Sequence, residues 1–159
     1  MPTPKFILEL REKIGHDLLW LTGITGVVLN DNEEVLLVRR ADTGRWSLVA
    51  GILEPGEQPA LALVREIHEE TAVEVAVERL LSVEALPPSS YPNGDQVQFL
   101  DLCFRCRPLR GEPRVNDDES LDVAWYPLAD LPPLTPRELT SINRALSPTS
   151  TPALPGLQP

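Results

Sequence analysis

Glu57, Arg65, Glu66, Glu69 and Glu70 stand in the stretch Gly51–Val73, GILEPGEQPALALVREIHEETAV, at spacings that suit a hard divalent cation. Glu66, Glu69 and Glu70 fall at i, i+3 and i+4, so on a helix their carboxylates share a face. Three like charges on one face destabilise a helix by about a few tenths of a kcal/mol per pair unless something compensates them. A cation does so. Magnesium takes oxygen ligands and keeps some of its water, so two or three carboxylates make a site. The helix is predicted from its flanks and its stripe. Glu54-Pro55-Gly56 is a turn signal, and Pro59 falls where a first helical turn tolerates proline. Ala60, Leu63, Val64 and Ile67 follow the helical period and should be buried. His68 points roughly opposite Glu66, which assigns it to solvent or packing. Read alone, three glutamates are as readily a solvated charged face; the register with Gly51, Glu57 and Arg65 favours the cation.

This stretch resembles the Nudix box, the signature of hydrolases that split a nucleoside diphosphate linked to another group. Gly51, Glu57, Arg65, Glu66, Ile67, Glu69, Glu70 and Val73 match its fixed positions, and Ala72 stands where the family has glycine. If that position takes a positive φ, alanine is strained by about 1 kcal/mol. The resemblance implies an α/β/α sandwich with a mixed central sheet. It implies that Glu66, Glu69 and Glu70 hold Mg²⁺ or Mn²⁺ with help from the Ala50 carbonyl. It gives Glu57 an auxiliary metal or orienting role, and has Arg65 pair with a box carboxylate and hold it in place. The implied reaction is attack by water on one phosphorus of a diphosphate. Its general base is either a box glutamate, Glu69 or Glu70, or an acidic residue on a loop before a late strand. Glu119, in the run Asn116-Asp117-Asp118-Glu119 and six residues before Trp125, has the position at which some relatives carry that group. Asp117 and Asp118 are weaker candidates.

Candidate substrate groups are Arg39, Arg40 and Arg45, which lie between a strand pair and the box and can reach a phosphate. Trp46 is a candidate for stacking, although a tryptophan more often packs core. Tyr91 sits on a loop, PPSSYPNGD, that could border the pocket. Pro87 and Pro88 resemble the pattern of ADP-ribose-cleaving relatives. The preferred substrate is therefore ADP-ribose or a nucleotide sugar. A nucleoside triphosphate, or a module that binds a nucleotide metabolite without turnover, are the alternatives.

The chain has 159 residues, of which 42% are hydrophobic, and a formal net charge of −10. That length suits one globular domain, residues 1–146, followed by a Pro- and Ser-rich tail, 147–159, that reads as disordered. The acidic balance and the lack of a basic stripe speak against nucleic-acid binding. An anionic substrate then needs local positive charge from metal ions and a few arginines. No apolar run has the length of a membrane span. Cys103 and Cys106, three apart on a strand, should face opposite ways and stay reduced, which favours the cytoplasm. A homodimer through the N-terminal segment is a further expectation from the resemblance.

These groups need elements to hold them. Helices are predicted at Lys5–Ile14, over the box and at Pro136–Leu146. Strands are predicted at Thr22–Leu29 and Glu33–Arg40, joined as a hairpin by Asn30-Asp31-Asn32. Trp46–Val49 forms a short strand, Val73–Leu86 is strand-rich, and Gln96–Arg107 and Asp122–Tyr126 complete the set. Strands, a helix, more strands and a last helix argue for a mixed sheet flanked by helices.

Overall fold

The structure, a computed structural model, describes residues 3–157. The long strands are built from β-branched and apolar runs. Strand β1 (Leu19–Val28), β4 (Val49–Ile52), β5 (Glu74–Ala85) and β7 (Gln96–Arg110) form one sheet in the order β4-β1-β7-β5, with β6 (Ser89–Ser90) beside β7. Strands β1 and β7 run parallel and the other pairs antiparallel, so the sheet is mixed. A smaller sheet has the order β3-β2-β8, with β2 at Glu34–Arg40, β3 at Trp46–Ser47 and β8 at Ser120–Pro127.

The hairpin expected between Thr22–Leu29 and Glu33–Arg40 is reduced to its turn. The Asn30 side chain accepts from the backbone N–H groups of Asn32 and Glu34, and Leu29 bridges Val35. Beyond that bridge the strands part into different sheets. Both edges of β1 are taken by β4 and β7, and both edges of β2 by β3 and β8, which leaves no ladder for the two to share.

Helices cover both faces. Helix α2 (Pro59–Thr71) packs Leu63 and Ile67 on Ile24, Val28, Val49 and Cys106. Gly26 lets it come close: a Cβ there would lie 3.0 Å from Ile67 Cδ1 and 3.3 Å from Leu63 Cδ1. On the other face, α3 (Pro136–Leu146) packs Ile142 and Ala145 against Val27, Leu81 and Cys103, and α1 (Lys5–Ile14) packs Ile7 against Leu19, Leu21 and Val97. This is an α/β/α sandwich. Cys103 and Cys106 are both free and buried on opposite faces, and burial pushes their thiols up to about 11 and about 12.

Both ends of α3 are tied down. Thr135 and Glu138 form a capping box at the start. The Arg79 guanidinium donates to the carbonyls of Arg144, Ala145 and Ser147 at the end, where a helix leaves acceptors unpaired. The chain then runs back along the outer edge of β5. Ala153 N–H donates to Leu81 O at 2.8 Å, and Val83 N–H donates to Ala153 O at 3.2 Å. The segment expected to be disordered thus includes a backbone pairing that covers part of an edge strand. Among the described residues no helix is long and apolar enough to cross a membrane.

Candidate active site

Glu66 and Glu70 occupy the same helix face as Leu63 and Ile67, turned toward the sheet. The sequence placed Glu66, Glu69 and Glu70 together on a separate face. Instead Glu66 is 0% exposed and Glu70 6%, while Glu69 stands in solvent. Glycine makes this possible. A Cβ at Gly51 in β4 would sit 2.7 Å from both Cγ and Cδ of Glu66, so the bare backbone is the space through which that side chain passes. Glu66 Oε1 accepts from Arg65 Nη1 at 3.1 Å, and Glu66 Oε2 is buried without a hydrogen-bond partner. A buried carboxylate oxygen in that state is costly unless a cation or water meets it. Burial pushes the Glu66 carboxyl up to about 7. Burial, and then the nearby Asp117, push Glu70 up to about 8.

Arg65 gathers three carboxylates rather than one. Its Nε and Nη2 donate to Glu57 at 2.9–3.1 Å, and its Nη1 donates to Glu66 and to Glu69 at 3.1 Å each. Glu57 Oε2 also accepts from Glu54 N–H at 3.1 Å, which ties the turn before α2 to the same arginine.

A second acidic group forms across the sheet edge. Oxygen atoms of Glu70, Asp117 and Glu119 lie within 4.8 Å of one another. The loop between β7 and β8 reaches this position because it docks on the end of α2. Arg114 N–H donates to Thr71 O, and Asn116 Nδ2 donates to His68 O. Asp117 Oδ1 then accepts from the N–H groups of Glu119 and Ser120, and Ala41 N–H fixes the Glu119 carbonyl at 2.7 Å. Three carboxylates at this separation, beside an unpaired oxygen of Glu66, are a hard-oxygen donor set that fits a divalent cation.

The remaining candidates divide. A cleft of about 280 Å³ is lined by Arg40, Asp42, Ser47, Ala50, Glu70 and Glu119. A larger one, about 630 Å³, also borders Arg40, Ala50 and Glu119 and extends past Tyr91 to Asp101 and Arg137. Arg40, Ala50, Glu119 and Tyr91 therefore belong to cleft walls. Arg40 is clamped by Asp42 through two hydrogen bonds of 2.9 and 2.6 Å, and this pairing raises its affinity for the proton further. Arg39, Arg45 and Trp46 line neither cleft. Arg39 Nε donates to Gly44 O and closes the loop between β2 and β3. Trp46 packs edge-on against Tyr126, with ring centroids 4.8 Å apart, in the core beneath α3. Pro87 and Pro88 line neither cleft; the neighbouring Leu86 lines the larger one. The sequence reading did not single out Asp101, Thr25 and Arg137, which meet in the larger cleft. The signal was present, because Asp101 breaks the apolar alternation of Val97, Phe99 and Cys103 on one strand face.

A family model, the NUDIX domain, matches residues 20–148, and the chain belongs to that family. It is 36% identical over 118 residues to a MutT-like protein of Streptomyces ambofaciens, covering 74% of this chain and 66% of that one. It is 39% identical over 115 residues to an 8-oxo-dGDP phosphatase of Homo sapiens, covering 69% of this chain and 33% of that one. The chain thus spans under two thirds of the first relative and about a third of the second. The NUDIX domain of Shewanella oneidensis NrtR, solved with ADP ribose, superposes with a TM-score of 0.65 at 23% identity, covering 92% of this chain and 97% of that one. At that identity it supports the fold alone.

Proposed function

We propose that this chain is a metal-dependent hydrolase that cleaves the diphosphate of a nucleoside diphosphate joined to a second group. The observation that carries the reading is the carboxylate set of Glu66, Glu70, Asp117 and Glu119, of which Glu70 and Glu119 line the smaller cleft and Glu119 also the larger. Glu66 and Glu70, with Glu69, would hold Mg²⁺ or Mn²⁺, with the carbonyl of Ala50, which lines the same cleft as Glu70, as a further candidate ligand. When bound, the cation supplies charge neutralisation at the phosphoryl oxygens and a more acidic water.

The chain's own residues set up the rest. Arg65 holds Glu57, Glu66 and Glu69 in one arrangement, so the donor oxygens are fixed before substrate arrives. Glu119 takes the proton from the attacking water through a carboxylate oxygen, and Asp117 orders its loop. Arg40, oriented by Asp42, faces a phosphate from the cleft wall. Two clefts that share Arg40, Ala50 and Glu119 in their walls support a substrate with a group at each end of its diphosphate. It favours a nucleotide sugar, with ADP-ribose as one member of the class, over a nucleoside triphosphate. The two buried, unpaired thiols support a reducing, cytoplasmic setting.

The test is a product analysis with ADP-ribose, other nucleotide sugars and nucleoside triphosphates under Mg²⁺ and Mn²⁺. Two monophosphate products support this reading. Pyrophosphate release from triphosphates at tenfold higher kcat/KM, about 1.4 kcal/mol of transition-state binding, would replace it with the triphosphate reading.

A further inference from the structure

The floor of the larger cleft is one face of the main sheet. In the register of β1 with β7, Leu21 pairs with Phe99 and Gly23 with Asp101; in that of β1 with β4, Gly23 pairs with Ile52. Paired residues show their side chains on the same side. Leu21, Ile52 and Phe99 therefore make an apolar floor, and Asp101 is the charged side chain set into it. Gly23 leaves a bare patch beside that carboxylate. A Cβ there would stand 3.1 Å from Asp101 Oδ1 and 3.3 Å from Phe99 Cδ1.

Asp101 is 5% exposed. Its Oδ1 accepts from Thr25 Oγ1 at 2.9 Å, and its Oδ2 accepts from Arg137 Nη2 at 2.6 Å. These bonds fix the side chain's rotamer and supply a counter-charge. They use one acceptor site on each oxygen, and a carboxylate has about four. Each oxygen thus has acceptor capacity beyond these bonds, and Asp101 lines a cleft whose floor is apolar.

We propose that Asp101 is a specificity-determining residue that reads the base of the nucleotide, and that it selects a guanine-type base over adenine. A planar ring lies over Gly23 and against Phe99. Guanine offers a ring N–H next to an exocyclic amino group, two parallel donors that match the two oxygens of a carboxylate. Adenine offers an amino group next to a bare ring nitrogen, whose lone pair faces the carboxylate and repels it. Thr25 and Arg137 act through Asp101 as positioning residues. This inference rests on the hydrolase reading above, and it sets ADP-ribose behind guanosine diphosphate sugars within the same class.

The test compares GDP-glucose with ADP-glucose, which differ only in the base, under Mg²⁺. The wild-type protein should favour GDP-glucose by about tenfold or more in kcat/KM. Asp101→Asn presents one acceptor and one donor. It should lower that ratio at least about tenfold, mainly through the KM for GDP-glucose. Thr25→Val is the milder variant should the first fail to fold; it frees the carboxylate on one side and should lower the ratio several-fold. Calorimetric titration of GMP and AMP into the metal-free protein reads the base site without turnover. Selective GMP binding without hydrolysis of either sugar nucleotide would leave this inference standing and sink the hydrolase reading. Hydrolysis of both at equal kcat/KM, or an equal fall for both in Asp101→Asn, would overturn the inference and leave the hydrolase reading in place.

Discussion

Gly51 and Glu66 are one structural decision made at two positions. The carboxylate reaches the far side of the helix–sheet contact only because β4 has no Cβ at the crossing. Gly51→Ala forces Glu66 to move and overpacks the contact, at a cost of about 1–3 kcal/mol in stability. Mg²⁺ affinity measured by calorimetry should fall at least about tenfold, since a displaced carboxylate meets the ion in a poorer geometry. Unchanged affinity in a folded variant would show that Glu66 is not a ligand. Glu119 is separable by kinetics. A base that deprotonates water contributes about 10²–10⁴-fold, so Glu119→Gln should lower kcat on that scale while the Mg²⁺ concentration for half-maximal rate stays put. Its place beside Glu70 and Asp117 gives the opposite result a clear meaning. A rise in the Mg²⁺ requirement with little loss of saturated rate would make it a ligand, and return the base role to Glu69 or Glu70.

Helix α2 ends at the position where this chain departs from the box pattern. Ala72 takes φ 60°, ψ 12°, the left-handed conformation, and its N–H donates to His68 O. Glycine adopts that backbone without the clash that a Cβ brings. Ala72→Gly should therefore stabilise the protein by about 1 kcal/mol in urea unfolding, less the small loss from its buried methyl group. A variant that is destabilised would mean that the methyl's packing outweighs the strain. The sequence predicts that strain because the spacing of the box fixes where the helix stops. It likewise predicts the bounds of α1 and α3, Lys5–Ile14 and Pro136–Leu146, since helical periodicity is a local signal. Three features escape a reading of this kind. The parting of β1 and β2 depends on which distant strands take their edges, although the Asn30 turn itself is local. The burial of Glu66 depends on Gly51, which lies outside the helix whose periodicity is being read. Arg40, Trp46 and their neighbours sit in a row along the chain, and only the sheet pairing sends Arg40 to the cleft and Trp46 to the core.

Across the whole molecule, the buried carboxylates link stability to pH and to metal. Glu66 is raised to about 7 and Glu70 to about 8, both mainly by burial, from an ordinary value near 4.5. Between those values and the unfolded one, the metal-free folded state binds more protons than the unfolded chain. Stability therefore falls as pH rises across that interval. Its contribution from these groups is complete below about pH 4.5 and is lost as pH passes 7 to 8. A divalent cation reverses the sign, because it binds the carboxylates only after their protons leave. Below the folded pKa, metal affinity should drop about tenfold per pH unit for each proton displaced. Thermal melts of the metal-free protein from pH 5 to pH 9 should show Tm declining toward the alkaline end, after correction with the double variant Glu66→Gln, Glu70→Gln. The same melts at saturating Mg²⁺ should show the gain from metal growing with pH and levelling off above about 8. Calorimetry at pH 7 in buffers of different ionisation enthalpy should record proton release on Mg²⁺ binding. A Tm gain from Mg²⁺ that is the same at pH 5.5 and pH 8.5, with no proton released, would show that the ion binds elsewhere than at Glu66 and Glu70.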